Sequence, residues 1–344
     1  MILRFNASVA AVVLPMLVAC SSAQHLNLTP NGAAPSTATN PLVRPATAAA
    51  RLFVANAAND TVTAYRWAGT SVVRTISPVR EPLSLAFDGT GNLYVGNRRF
   101  NTVKVYAPGS NSILRKIAQG INNPVALAFD AADNLYVANY HNNTVTVYAP
   151  GSTSPMQTIT AGVERPTALA FDGAGNLYVA NNYRRPHDGT VTVYASGSTF
   201  VLYTIFQGID HPFALALDTS GNLYVANAYS STVTAYAPGS RSVLQTISQG
   251  IDFPTALAFS RRGNLFVSNP GNSTVTVYAP AGGSLVRTIS NSVSGPRTLA
   301  FYRGDLYVAN EGNNTITVYA GGGTSLLRSI SQGVSGPSAI AFGP

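Results

Sequence analysis

Three of the four histidines, His141, His187 and His211, fall in short segments that also carry Asp188 and Asp210. Imidazole and carboxylate groups are donors suited to a divalent metal. The intervals between them match no ligand motif, so each imidazole is read as a separate loop residue, with no metal and no cofactor expected. Around them stand cations and aromatic rings: Arg98, Arg99 and Phe100, then Tyr140, Arg165, Tyr183, Arg184, Arg185 and Tyr229. Arginine and aromatic side chains set among small polar residues are what a binding surface uses. The candidate ligand-binding set is therefore Arg98, Arg99, Phe100, Tyr140, His141, Arg165, Tyr183, Arg184, Arg185, His187, Asp188, His211 and Tyr229. No serine elbow, phosphate-binding glycine loop or cysteine-based motif accompanies them, and no catalytic residue is assigned.

These residues interrupt a repeat. A segment of the NLYVAN type recurs from position 51 onward, its last residue falling at Asn56, Asn97, Asn139, Asn181, Asn227, Asn269 and Asn310, at intervals of 41 to 46 residues. Each unit offers four strand-like segments. Unit three shows them as Pro124 to Phe129, Asn134 to Asn139, the alternating Thr144 to Tyr148, and the short Met156 to Thr160. Strict apolar–polar alternation is the period of a half-buried strand, and the intervening Asp-Gly and Pro-Gly-Ser clusters are turn chemistry. Four strands in each of seven units predict an all-β, seven-bladed β-propeller. The chain enters at a second strand (Leu52 to Asn56) and ends with a first strand (Pro337 to Phe342). The last segment is thus expected to pair into blade one and close the ring, leaving no open array end.

Repetition also acts as an internal control, because a feature present in every blade is explained by the blade. The seven Asn residues read as turn caps, and the Tyr residues of the second and third strands as packing. Function belongs where blades differ. The loops joining strands two to three, and one blade to the next, open on a common face and hold nearly all the variation, including a four-residue insertion in blade four. The loaded sector spans blades two to five. Blades one, six and seven are bland there, apart from Asp60 and Glu311.

The repeat resembles NHL-type propellers, whose unit has a Pro, a small apolar strand, a Gly-Asn-Leu-Tyr-Val segment and a later Asn. Related units occur in gluconolactonase-like and virginiamycin-lyase-like proteins. Lactonases of that kind use carboxylates near the channel, and the first strands here hold none; the lyases use late-blade histidines, absent from blades six and seven. The beginning of the chain, residues 1–19, has Arg4, an apolar run and small residues, the pattern of a signal peptide. Leu17-Val18-Ala19-Cys20 resembles the lipobox of bacterial lipoproteins, and Cys20 is the one cysteine, which implies lipidation there. Residues 20–50 are read as the lipidated Cys and a flexible tether, reaching about 30 Å as a coil. The domain proper is 51–344.

Only 10% of residues are charged, with 21 Lys+Arg against 13 Asp+Glu. That low charge excludes a disordered polyelectrolyte and a coiled coil. By analogy with lipoproteins of enteric bacteria, Ser21 and Ser22, with no Asp after Cys20, imply the outer membrane. The expected protein is an exported monomer, anchored to the membrane by lipid, that binds an envelope protein, glycan or other envelope ligand through blades two to five, and no nucleic acid. The alternative is a lactonase- or lyase-like enzyme with a metal-dependent site at the same mouth.

Overall fold

A computed structural model describes residues 50–183, 188–280 and 283–344. The expected signal peptide, Cys20 and nearly all of the tether lie outside them. The chain forms seven four-stranded antiparallel sheets. Blade two shows the plan: an innermost strand Pro82–Phe87, then Leu93–Asn97 and Thr102–Tyr106, and an outer strand Ile113–Ile117. Inner strands are buried on both faces, and outer strands only at their last residue, so burial falls off radially. In blade one the innermost strand is the end of the chain: Pro337–Gly343 pairs antiparallel with Arg51–Asn56, Leu52 opposite Phe342 and Val54 opposite Ile340. The ring is closed as the phase of the repeat requires.

Two recurring contacts set the blades against one another. At six of seven junctions a second-strand aromatic meets the innermost-strand Phe of the next blade edge-to-face, with centroids 4.8–5.1 Å apart. Such pairs contribute about 0.5–1.5 kcal/mol beyond their buried area. The seventh junction has Leu217 where the others have Phe. The residue after the blade's first Pro supplies the second contact. Thr167, Thr255 and Ser338 donate their hydroxyls to the carbonyls of Pro212, Pro296 and Pro82 in the following blade.

The repeat Asn stands at the end of each second strand, or one residue before it in blade four, for a physical reason. All seven are fully buried. The Oδ1 accepts a backbone N–H from the loop entering the same blade, that of Ser335, Arg80, Asn122, Glu164, Asp210, Asp252 or Ser294. In six blades Nδ2 donates to a third-strand Thr, as Asn139 does to Thr146 at 2.9 Å. The entry loop is thereby tied to its own sheet, and the mouth of the channel inherits that rigidity.

Candidate functional site

The entry loops carry an unusual backbone. The residue before the innermost-strand Pro has a left-handed φ in all seven blades: Glu81, Asn123, Arg165, His211 and Phe253 at 45–56°, and Gly295 and Gly336 at 52° and 55°. A non-glycine residue there costs on the order of 1–2 kcal/mol. A neighbouring loop holds the conformation in place. Asp60 Oδ1 accepts the Glu81 N–H at 2.7 Å, Asn101 Oδ1 accepts that of Asn123, Asn143 Oδ1 that of Arg165, and Ser231 Oγ that of Phe253. Blades seven and one show that glycine serves this position. Five blades instead hold a bulky or charged side chain at the mouth at a conformational cost.

Next to these lies a ring formed by the residue after each repeat Asn: Ala57, Arg98, Tyr140, Asn182, Ala228, Pro270 and Glu311. One arc is aromatic. Tyr140 of blade three packs against Phe213 and Ala228 of blade five, with Phe253 on the same cluster. The buried His211 ring stacks on Tyr229, centroids 3.8 Å apart and planes 15° from parallel, and its Nδ1 lies 3.4 Å from Asp210. Tyr229 is 54% exposed, so this platform is open to solvent. Arg165 lies over the Tyr140 ring at 5.6 Å. The other arc is ionic. Glu81 holds both Arg98, at 2.5 Å, and Arg99, at 3.1 Å. Glu311 holds Arg297 at 3.2 Å, and Asp60 holds Arg80 at 2.9 Å. Phe100 is half-exposed, with Arg80 and Lys104 over its ring.

His141 joins the two arcs. The Asn123 amide lies 3.1 Å from its Nε2. Partial burial, then the positive charges of Arg98 and Arg165, hold the imidazole below its ordinary pKa. Arg297, 3% exposed, is the residue that reading the loops misses. A signal for it exists in the sequence, since the same strand position holds Leu83, Val125, Thr167, Phe213, Thr255 or Ser338 in the other blades. Burial pulls its guanidinium pKa down, Glu311 restores part of it, and Arg98 opposes. Its Nη2 is buried without a hydrogen-bond partner among the described residues.

The hollow on this face lies beside the loaded sector. A cleft of about 310 Å³ is lined by Ala57, Ala58, Asp60, Glu81, Arg99, Glu311 and Gly336. Small residues of blade one form its floor, and the ionic arc forms its walls. On the opposite face a smaller space of about 90 Å³, between blades five and six, is walled largely by repeat turns and strand residues. Of the sequence-derived set, Arg98, Tyr140, His141, Arg165, His211 and Tyr229 come together around the mouth. Arg99 and Phe100 flank the hollow's ionic wall. Tyr183 is half-buried next to Asn182, and Asp188 is exposed just before the third strand of blade four. Arg184, Arg185 and His187 lie outside the described residues. Among the described residues, no three His, Cys, Asp or Glu side chains meet in a way that could hold a metal ion.

No protein-family model matches the chain, and neither does any curated protein. Solved structures do resemble it. The computationally designed Ika8 protein is 20% identical, with a TM-score of 0.63 over 82% of this chain and 85% of that one. A putative 6-phosphogluconolactonase from Bacteroides uniformis is 16% identical, with a TM-score of 0.66 over 86% of this chain and 100% of that one. At such identities the likeness carries the fold alone, and the fold it carries is the β-propeller.

Proposed function

We propose that this chain is an NHL-like propeller lipoprotein, anchored through Cys20 at the outer membrane, whose mouth binds a polyhydroxylated envelope ligand such as a glycan. The observation that carries the reading is the retention of Glu81, Asn123, Arg165, His211 and Phe253 in a left-handed backbone where two blades use glycine. Strain kept at convergent side chains is a mark of function, because packing alone favours its removal. The chemistry suits a sugar. Tyr229 offers a ring face to C–H groups, while the Glu–Arg pairs of the hollow offer acceptors and donors side by side for hydroxyls. The cleft is at the lower end of small-ligand sites, roughly 300–1,000 Å³. The alternative is a lactonase-like enzyme at the same mouth, where each of the three carboxylates of the hollow already has an arginine partner.

Calorimetric titration with soluble peptidoglycan fragments and lipopolysaccharide core oligosaccharides tests the binding reading. Saturable binding that Tyr229→Ala and Arg98→Ala each weaken at least about tenfold, or 1.4 kcal/mol, is expected. Turnover of a sugar lactone with no binding of any glycan would replace this reading with the enzyme. Labelling with radioactive palmitate, abolished in Cys20→Ser, tests the anchor, and label retained in that variant sinks it.

A further inference from the structure

Among the described residues, the outer strand of every blade leaves one edge unpaired, and an unpaired edge is a template for a further strand. Six of the seven edges are guarded. Blades three and five have outer strands of three residues, Gln157–Ile159 and Gln245–Ile247. Blades one, two, six and seven have outer strands of five residues, each with an arginine at the third position: Arg74, Arg115, Arg287 and Arg328. Three of these guanidiniums turn back under the edge. Arg74 lies over Phe53, while Arg115 and Arg328 donate to the hydroxyls of Tyr94 and Tyr307. A strand added at such an edge would bury the charge further, which opposes pairing.

Blade four has neither guard. Its outer strand Val201–Ile205 is five residues long and uncharged, and Tyr203 stands where the arginine would be, its hydroxyl 3.3 Å from that of Tyr178. A register irregularity occurs in this strand as in the other four long ones, so it does not set blade four apart. Apolar residues surround the edge: Phe200 is 79% exposed, Phe206 66% and Leu202 48%. Phe206 occupies a position that is Ser, Ala or Thr in the other six blades.

From this unguarded edge we infer that blade four is a self-association surface, at which the Val201–Ile205 strands of two copies of this chain pair antiparallel about a two-fold axis. A second copy is the occupant that the charge pattern fits. The segment from Thr199 to Gly208 has no charged residue with which to recruit an oppositely charged partner, and the cation beside it, Arg241 of blade five, is held over the Tyr203 ring at 5.7 Å, so the strands that meet are themselves neutral. A pairing centred on Tyr203 sets Phe200 of one copy opposite Phe206 of the other, twice over, and aromatic cross-strand pairs are favourable. This departs from the monomer expected of the sequence.

Sedimentation velocity of the purified chain, from about 5 to about 200 µM, tests the inference. A monomer–dimer equilibrium is expected across that range. Tyr203→Arg, which restores the guard of the other blades, and Leu202→Lys, at an exposed site, should each weaken it at least about tenfold while melting stays within a few degrees. Phe206→Ser should do the same. A chain that stays monomeric throughout overturns the inference, as does a dimer indifferent to all three substitutions. A monomer that binds phospholipid vesicles through Phe206 also overturns it, in favour of a lipid surface.

Discussion

Tyr106 and its six counterparts show how one deleted residue changes local chemistry. In the other blades the tyrosine ending the third strand donates to a carbonyl of its entry loop, as Tyr148 does to Gln119 and Tyr194 to Ala161. The loop entering blade two, Ser77 to Glu81, is one residue shorter, and the carbonyl is missing. Tyr106 is buried with no hydrogen-bond partner among the described residues, and burial pushes its phenol up to about 12. Lys104 replaces the usual Thr in the same blade and donates to the Pro78 carbonyl. Tyr106→Phe should therefore leave stability unchanged or raise it, whereas Tyr148→Phe should lower it by about 1 kcal/mol, both read from chemical denaturation midpoints. His141 gives a pH-dependent counterpart. Its charged form is disfavoured in the fold, so its contribution is full above about pH 6.5, the ordinary imidazole value. As pH falls through that value the unfolded chain takes up the proton first, and stability declines. NMR titration should place the His141 midpoint below 6.5, and Arg98→Gln should move it up. A midpoint indifferent to Arg98 would separate the two side chains and undo that part of the mouth.

Loops and strands are legible in the sequence to different degrees. The Asn and Tyr residues can be placed because they recur with the blade, and recurrence separates scaffold from site without a structure. Arg297 breaks the recurrence at its strand position, but a reading confined to loops passes it over, and its role shows only beside Glu311, which another segment of blade seven contributes. The hollow escapes for a different reason: its floor is Ala57 and Ala58, and a search for charged and aromatic loops finds walls rather than space. The left-handed residues stay hidden because no glycine marks them in five blades. At this scale two outcomes are expected. Asn139→Ala removes an acceptor for the Asn122 N–H and a donor to Thr146, and should cost about 2–3 kcal/mol in denaturation experiments. Arg165→Gly relieves the left-handed backbone at the cost of unfolded-chain freedom, so stability should stay level or rise by up to about 1 kcal/mol. The same variant should weaken ligand binding. Loss of stability with binding intact would mean that the side chain is scaffold.

Over the whole ring, seven similar blades make closure the step that distinguishes a propeller from an open stack. The final strand of the chain carries that step, and its contacts run in three directions. Within blade one it pairs with Arg51–Asn56. Toward blade seven, Phe342 stacks on Tyr302 at 4.5 Å and meets Tyr307 edge-to-face at 4.8 Å. Toward blade two, the Ser338 hydroxyl donates to the Pro82 carbonyl. Removing 337–344 would therefore open a sheet edge at Arg51–Asn56, strip an aromatic contact from blade seven and leave Leu52 and Val54 facing water. Each loss is worth on the order of 1–3 kcal/mol, against a total stability of only about 5–15 kcal/mol for a domain. The truncated protein should melt far below the intact one, or fail to fold. The milder Phe342→Ala keeps the strand and removes the ring, and should cost about 2–3 kcal/mol, below the range for a fully buried Phe because the ring is only partly buried. If both proteins melted with the intact chain, the seam would carry no stability, and the domain would hold together as a stack of neighbours rather than as a closed ring.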